Sequence, residues 1–107
     1  YVLVGGEVLN PHTLKRVLHT APPEHLLNVY GPTECTTFAL AHTIGAGDLT
    51  KGSVPIGRPI SRTVAFVLDE RLRPVAQGEI GHLYVGGDGL ARAYWGRDEL
   101  TKERFVN

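Results

Sequence analysis

The chain has 107 residues, of which 42% are apolar and 21% charged, a composition that suits one small soluble globular domain. Eleven basic residues balance eleven acidic ones, so no net field favours binding to nucleic acid or to anionic lipid. No apolar run is long enough to span a bilayer, and a single cysteine excludes an internal disulfide framework. These properties predict a cytoplasmic protein with no nucleic-acid and no membrane partner.

The first part of the chain predicts a strand, a helix and a second strand. The apolar run 1–4 is typical of a strand that is buried on both faces of a parallel sheet. Asn10 offers a helix N-cap with Pro11 at the first helical position, and Pro22-Pro23 ends the helix. The predicted apolar helix face consists of Leu14, Val17, Leu18 and Ala21. Leu26–Tyr30 follows as a strand, and this order predicts a right-handed crossover between parallel strands.

The second part of the chain has a different character. Residues 48–62 are rich in Gly, Pro and Ser and are predicted to form a long connection. Residues 64–68 and 81–85 are predicted strands, and the polar, turn-forming segment between them favours antiparallel pairing.

A short polar helix is predicted at residues 98–105, with Asp98 or Thr101 as its cap. The predicted fold class is therefore α/β, with a parallel strand-helix-strand unit followed by a small, mostly antiparallel β subregion. We place the parallel α/β part at residues 1–45 and the β-rich part with its C-terminal helix at 46–107.

The segment 28–37 carries the clearest chemical signal. It follows the end of a parallel strand, where open α/β sheets place their ligands. Gly31-Pro32 predicts a turn, Glu34 offers a hard oxygen ligand for Mg²⁺, and Tyr30 offers a flat face for a purine. The hydroxyls that could contact phosphate oxygens belong to Thr33, Thr36 and Thr37. Taken alone, however, these residues are more simply interpreted as an ordinary turn that ends in a capping threonine.

Other residues offer weaker candidates for a site. Residues 87–92 imitate a dinucleotide-binding fingerprint, but Arg92 stands where the last glycine belongs. The five histidines show no metal-ligand spacing. Cys35 lacks an evident His-and-acid constellation, so a small packing residue is the better interpretation.

The motif Asn-Val-Tyr-Gly-Pro-Thr-Glu at 28–34 resembles the adenine- and Mg²⁺-contacting motif of adenylation domains in nonribosomal peptide synthetases. Further segments resemble the same family in order and spacing, namely 4–7, 53–59, 86–95 and 99–105. The likeness runs along the whole chain. Pro32, together with the stretch 92–105, favours the peptide-synthetase branch of this adenylate-forming, AMP-binding superfamily. Because the chain contains no Met and opens directly in an apolar strand, we expect it to be an internal fragment.

The resemblance implies an ATP-dependent ligase that activates an amino acid as aminoacyl-AMP, with ATP and Mg²⁺. It implies transfer of the acyl group to a phosphopantetheine thiol, with carrier (thiolation) and condensation domains of the same synthetase as partners. The family's phosphate loop and catalytic lysine would lie outside this excerpt, so we do not expect it to be active alone. Two alternatives stay open, an acyl- or aryl-CoA ligase fragment and a non-catalytic nucleotide-binding remnant.

The resemblance also implies roles for individual positions. Thr33 should contact the α-phosphate and Glu34 should hold Mg²⁺, so these two are the expected catalytic residues. The expected nucleotide-binding residues are Gly6, Glu7, Asn28, Val29, Tyr30, Gly31 and Thr33. The expected substrate pocket includes Leu3, Gly5, Val29, Thr37 and Phe38. None of these pocket positions is charged, which predicts an uncharged substrate side chain.

Overall fold

The first sheet contains four strands in the order β1-β2-β3-β4 in the computed structural model, which describes residues 1–106. These strands are β1 at Val2–Gly5, β2 at Leu26–Tyr30, β3 at Leu40–Thr43 and β4 at Arg58–Pro59. β1 and β2 are parallel, with Gly5 opposite Val29, whereas β3 and β4 each pair antiparallel with the preceding strand. The predicted parallel unit is therefore confirmed.

Helix α1, Pro11–Thr20, crosses between the two parallel strands as predicted. The Asn10 side chain accepts a hydrogen bond from the His12 backbone N–H at 2.9 Å, which caps the first turn. Leu14 is buried, and Leu18 packs against the same core, but Val17 is 40% exposed. The apolar face is thus narrower than the sequence predicts. The buried members of this core are Leu14, Leu26, Ile44 and Val54.

Within the described residues, the first strand is covered on one face only, so its predicted burial on both faces stays a prediction for the full-length protein. β1 lies at the edge of the sheet, and Leu3 is 48% exposed. Among residues 1–106, α1 and its core cover one face of the strand, so only Val4 is partly buried there.

The predicted long connection at 48–62 contains regular structure that the sequence analysis missed. A 3₁₀ turn at Ala46–Thr50 is closed by Asp48, which accepts a hydrogen bond from the Gly45 N–H at 2.9 Å. The His42 Nε2 atom also lies 2.9 Å from the Asp48 carboxylate. These two partners, the Gly45 N–H first, lower the pKa of Asp48. β4 follows and joins the first sheet, so this sheet extends beyond the boundary we predicted at residue 45.

The second sheet is the predicted antiparallel pair. It contains β5, Thr63–Leu68, and β6, His82–Gly87. A small apolar cluster of Cys35, Ala39 and Leu40, with Ala65 and Val85 packed against it, joins the second sheet to the first. The predicted fold class is confirmed, and the segment after β2 lies where the two sheets meet.

Helix α2 occupies Asp98–Arg104, but neither predicted cap is correct. The N-cap residue is Arg97, which makes no side-chain capping bond, because Asp98 is already the first helical residue. The Thr101 hydroxyl instead donates to the Arg97 carbonyl at 2.9 Å. The last residue of the predicted β-rich part, residue 107, lies outside the described residues. Neither helix within 1–106 is long and apolar enough to cross a membrane.

Candidate functional site

A 3₁₀ turn at Thr33–Cys35 forms the centre of the candidate site, directly after β2. The Cys35 N–H donates to the Pro32 carbonyl at 2.9 Å, which begins the turn. Thr33 is exposed, Glu34 is half-buried and Cys35 is buried in the cluster between the sheets. The turn is therefore anchored by Cys35, with Thr33 open to solvent and Glu34 partly covered.

Backbone strain follows immediately, at Thr36. This residue has φ of 72° and ψ of −71°, and the Thr37 N–H donates to the Cys35 carbonyl at 2.9 Å. These values define a γ-turn of the rare strained kind, and a β-branched residue seldom adopts a positive φ. Such a conformation costs about 1–3 kcal/mol and persists only where the surroundings hold it. The Thr36 hydroxyl supplies one such contact, donating to the Gly89 carbonyl at 2.8 Å.

The segment 89–94, which we call the strap, lies against this turn. Its Ala91 N–H donates to the Glu34 carbonyl oxygen at 2.7 Å, in addition to the bond from Thr36 to Gly89. At its end, the Tyr94 hydroxyl donates to the Glu34 carboxylate. The strap thus contacts both the backbone and the side chain of Glu34. The sequence resembles one family in both the turn and the strap, but no local pattern predicts their contact or a role for Tyr94.

The predicted adenine-contacting residue Asn28 is buried in the interior. It is 5% exposed, and its Nδ2 donates to the Pro55 carbonyl at 2.8 Å. Within the described residues, the amide therefore holds the loop that leads into β4. A contact between Asn28 and adenine stays a prediction.

Tyr30, at the end of β2, is 37% exposed, so part of its ring is open to solvent. Its carbonyl accepts a hydrogen bond from the Ala39 N–H at 2.7 Å. Gly31 comes next, and a Cβ there would lie 2.3 Å from the Phe38 Cα, so only glycine fits between these backbones. This close approach explains the glycine of the motif by packing alone.

Three of the predicted pocket residues share one face of the first sheet. Leu3 and Gly5 are two residues apart in β1, so they lie on the same face of the strand. The register places Gly5 opposite Val29 of β2. A Cβ on Gly5 would lie only 2.1 Å from the Val29 carbonyl oxygen. Gly6 and Glu7 follow as an exposed bend at the carboxyl end of β1. Because β1 and β2 are parallel, this bend and Tyr30 lie at the same edge of the sheet.

The other two predicted pocket residues, Thr37 and Phe38, line a shallow cleft beside the strap. Arg62 and Asp88 form an ion pair on the rim of this cleft. The structure therefore places three of the five pocket candidates on the sheet face and two in the cleft, where the backbone of Phe38 also lies against Gly31.

The electrostatics of the turn disfavour a nucleophilic role for its cysteine. Burial raises the pKa of the Cys35 thiol, and the neighbouring Glu34 carboxylate raises it further. Within residues 1–106, no group of three or more His, Cys, Asp or Glu side chains is arranged to hold a metal ion.

Comparisons with known proteins place the chain among adenylate-forming enzymes. A family model described as AMP-binding enzyme matches residues 1–95. The chain is 43% identical over 106 residues to the nonribosomal peptide synthetase asaC of Aspergillus flavus, a match covering 99% of the chain and 10% of that synthetase.

Solved structures agree with this match. The chain aligns with holo-PA1221, an NRPS protein containing adenylation and PCP domains bound to a vinylsulfonamide inhibitor. The alignment has a TM-score of 0.92 and 37% identity, and it covers 97% of the chain and 18% of PA1221. It also aligns with holo-AB3403, a four-domain nonribosomal peptide synthetase bound to AMP and glycine. That alignment has a TM-score of 0.86 and 41% identity, and it covers 98% of the chain and 8% of AB3403. The chain thus spans less than a fifth of the length of each of these three relatives.

Proposed function

The chain belongs to the AMP-binding enzyme family, and we propose that it forms part of an ATP-dependent adenylation domain that activates an amino acid in nonribosomal peptide synthesis. One observation carries the proposal: the Thr33–Cys35 turn presents Thr33 and Glu34 at the carboxyl end of β2, with Glu34 held by the strap. Open α/β sheets bind their ligands at this end of the strands. The matched span 1–95 includes both the turn and the strap.

The proposed roles at the nucleotide follow from exposure and position. The open face of Tyr30 is suited to stacking on adenine, and the exposed bend Gly6-Glu7 lies at the same edge of the sheet. The exposed hydroxyl of Thr33 is suited to donate to an α-phosphate oxygen. Val29 and Gly31 would contact the adenine base through their backbone atoms. Asn28 would act on adenine only through an amide that already holds the Pro55 carbonyl.

Glu34 suits Mg²⁺ as a carboxylate ligand. Mg²⁺ commonly keeps several waters and is held by one or two carboxylates together with substrate phosphates. One half-buried carboxylate beside an exposed phosphate-binding hydroxyl fits that arrangement. When bound, the ion would neutralise charge on the phosphates, and the residues of the chain would orient them.

The proposed reaction needs positioning more than a nucleophilic side chain. The carboxylate of the amino acid attacks the α-phosphorus of ATP, the bond to the β-phosphate breaks, and aminoacyl-AMP and pyrophosphate form. Correct orientation of the reacting groups accounts for much of the acceleration in such a step. The acyl group then passes to a phosphopantetheine thiol and AMP leaves. PA1221 contains adenylation and PCP domains, which supports a carrier domain as partner, and we propose a condensation domain as a second partner.

An amino acid with an uncharged side chain is the proposed substrate. On the sheet face beside the turn, Leu3 and Val29 are apolar and Gly5 has no side chain. A charged substrate group placed against these residues would lose its hydration without gaining a partner. AB3403 was solved with AMP and glycine bound, which supports an amino acid as substrate class.

Substrate-dependent ATP–pyrophosphate exchange on the full-length protein tests this function. Amino acids, aryl acids and fatty acids are compared side by side, and exchange with an uncharged amino acid is expected. Glu34→Ala should lower the exchange rate by about 100-fold, the typical effect of removing one electrostatic contact to the reacting group. Glu70→Ala, which removes an exposed carboxylate between β5 and β6, is the matched control and should leave the rate unchanged.

The other possible results of the exchange assay would each lead to a different conclusion. Exchange with aryl or fatty acids alone would assign the protein to the acyl-CoA ligase branch and refute an amino-acid substrate. Absence of exchange with every acid, together with nucleotide binding, would favour a non-catalytic nucleotide-binding protein. Full exchange in Glu34→Ala would refute the proposed metal role.

A further inference from the structure

The side chain of Glu34 has a specific partner that is distant in sequence. The Tyr94 hydroxyl donates to its Oε1 atom across 60 positions of the chain. The Ala91 N–H, in the same strap, donates to the Glu34 carbonyl oxygen at 2.7 Å. One short segment therefore restrains the position of the Glu34 backbone and the direction of its carboxylate.

Tyr94 is itself held from two sides. Its ring packs edge-on against Phe105, with ring centroids 5.6 Å apart and planes at 77°. Its backbone N–H donates to the Thr101 Oγ1 at 3.0 Å, and that hydroxyl donates in turn to the Arg97 carbonyl. Thr101 of α2 and Phe105, which follows the last residue of α2, thus fix the tyrosine whose hydroxyl binds Glu34. A carboxylate bound by so constrained a donor has few orientations left.

We propose that Tyr94 is a positioning residue that orients the Glu34 carboxylate for the metal ion of the bound nucleotide, an inference that rests on the proposed function. A free glutamate side chain samples many rotamers, and binding a cation would freeze them. With Oε1 held by Tyr94, the second carboxylate oxygen is directed in advance. Groups that hydrogen-bond a metal-ligating carboxylate typically change metal affinity by 10- to 100-fold when they are removed. Tyr94 itself touches neither the metal nor the substrate in this role.

The test measures metal binding directly in the full-length protein. Mn²⁺ replaces Mg²⁺ because its free and bound forms are distinguished by electron paramagnetic resonance, and α,β-methylene-ATP supplies phosphates without turnover. Tyr94→Phe removes the hydroxyl and keeps the ring on Phe105. We expect it to raise the Mn²⁺ concentration for half-saturation by about 10-fold. The KM for Mg²⁺ in the exchange assay should rise in parallel, with a smaller change in kcat at saturating metal.

Two further variants separate positioning from general structure. Tyr1→Phe removes the hydroxyl of an exposed tyrosine that lies before β1, away from the cavity that Glu34 lines, and it should leave the Mn²⁺ concentration for half-saturation unchanged. Phe105→Leu keeps the Tyr94 hydroxyl but loosens its ring. Phe105→Leu should raise the Mn²⁺ concentration for half-saturation less than Tyr94→Phe does. Melting temperatures of the variants identify any loss of folding.

The outcomes distinguish this inference from the function on which it rests. If Glu34→Gln leaves Mn²⁺ binding unchanged, the metal role of Glu34 fails and the positioning role fails with it. If Glu34→Gln weakens Mn²⁺ binding while Tyr94→Phe behaves as wild type, only the role of Tyr94 is overturned. Tighter Mn²⁺ binding in Tyr94→Phe would also overturn it, since the hydroxyl would then compete with the metal.

Discussion

Replacing Gly5 by alanine should weaken the contact between β1 and β2. The added Cβ would lie 2.1 Å from the Val29 carbonyl oxygen, whereas real Cβ atoms essentially never approach such an atom within 3.0 Å. The two backbones would have to separate locally by about 0.9 Å, enough to stretch a normal N–H···O bond beyond hydrogen-bonding length. Overpacking of this kind costs about 1–3 kcal/mol, so we expect a local loss of about 2 kcal/mol.

Hydrogen exchange on the full-length protein measures this loss, because it reports local opening in a large protein. A loss of about 2 kcal/mol corresponds to a roughly 30-fold faster exchange in peptides covering β1 and β2. Gly52→Ala is the matched control, since a Cβ there meets nothing within 4 Å. Equal exchange in Gly5→Ala and Gly52→Ala would refute the reasoning.

The same geometry changes how the substrate pocket should be tested. Gly5 is a predicted pocket residue, so a bulky residue there would be expected to reduce the size of the substrate side chain that the pocket accepts. The structure adds a backbone collision, which would alter the strands as well as the pocket. Leu3→Phe is the cleaner probe of selectivity, because Leu3 shares that face and is half exposed.

Three further predictions concern individual side chains. Asn28→Ala should destabilise the loop before β4 by about 1 kcal/mol, seen as faster hydrogen exchange there, because the bond from the buried Asn28 amide to the Pro55 carbonyl is lost. The Gly45 N–H and the His42 ring lower the pKa of Asp48, so its stabilising effect is present above the unfolded-state pKa and is lost as pH falls through the folded-state value. Asp48→Asn should therefore flatten the dependence of melting temperature on pH in the acid range below about pH 5. Burial raises the pKa of the Cys35 thiol, so alkylation by iodoacetamide at neutral pH should be much slower than for a free thiol, and rapid labelling would contradict this.

Local sequence signals predicted the elements whose structure depends on neighbouring residues. Asn10 and Pro11 predicted the start of α1, and the observed cap confirms it. The polar, turn-forming segment between two predicted strands predicted the β5–β6 pair. The predicted strand at 26–30 and its glycine-proline turn are also present. β3 and β4 were missed, because each is short and owes its strand conformation to pairing with a neighbour.

The sequence by itself determined the fold class, the order of the main elements and the turn that carries Thr33 and Glu34, because caps, periodicity and turn chemistry act over a few residues. Only the tertiary structure decided what surrounds that turn. It placed Tyr94 on Glu34, turned Asn28 towards Pro55 and brought Gly5 against Val29. These contacts depend on strand register and on how two sheets meet, and such long-range geometry is encoded by the packing of the whole chain rather than by any local pattern.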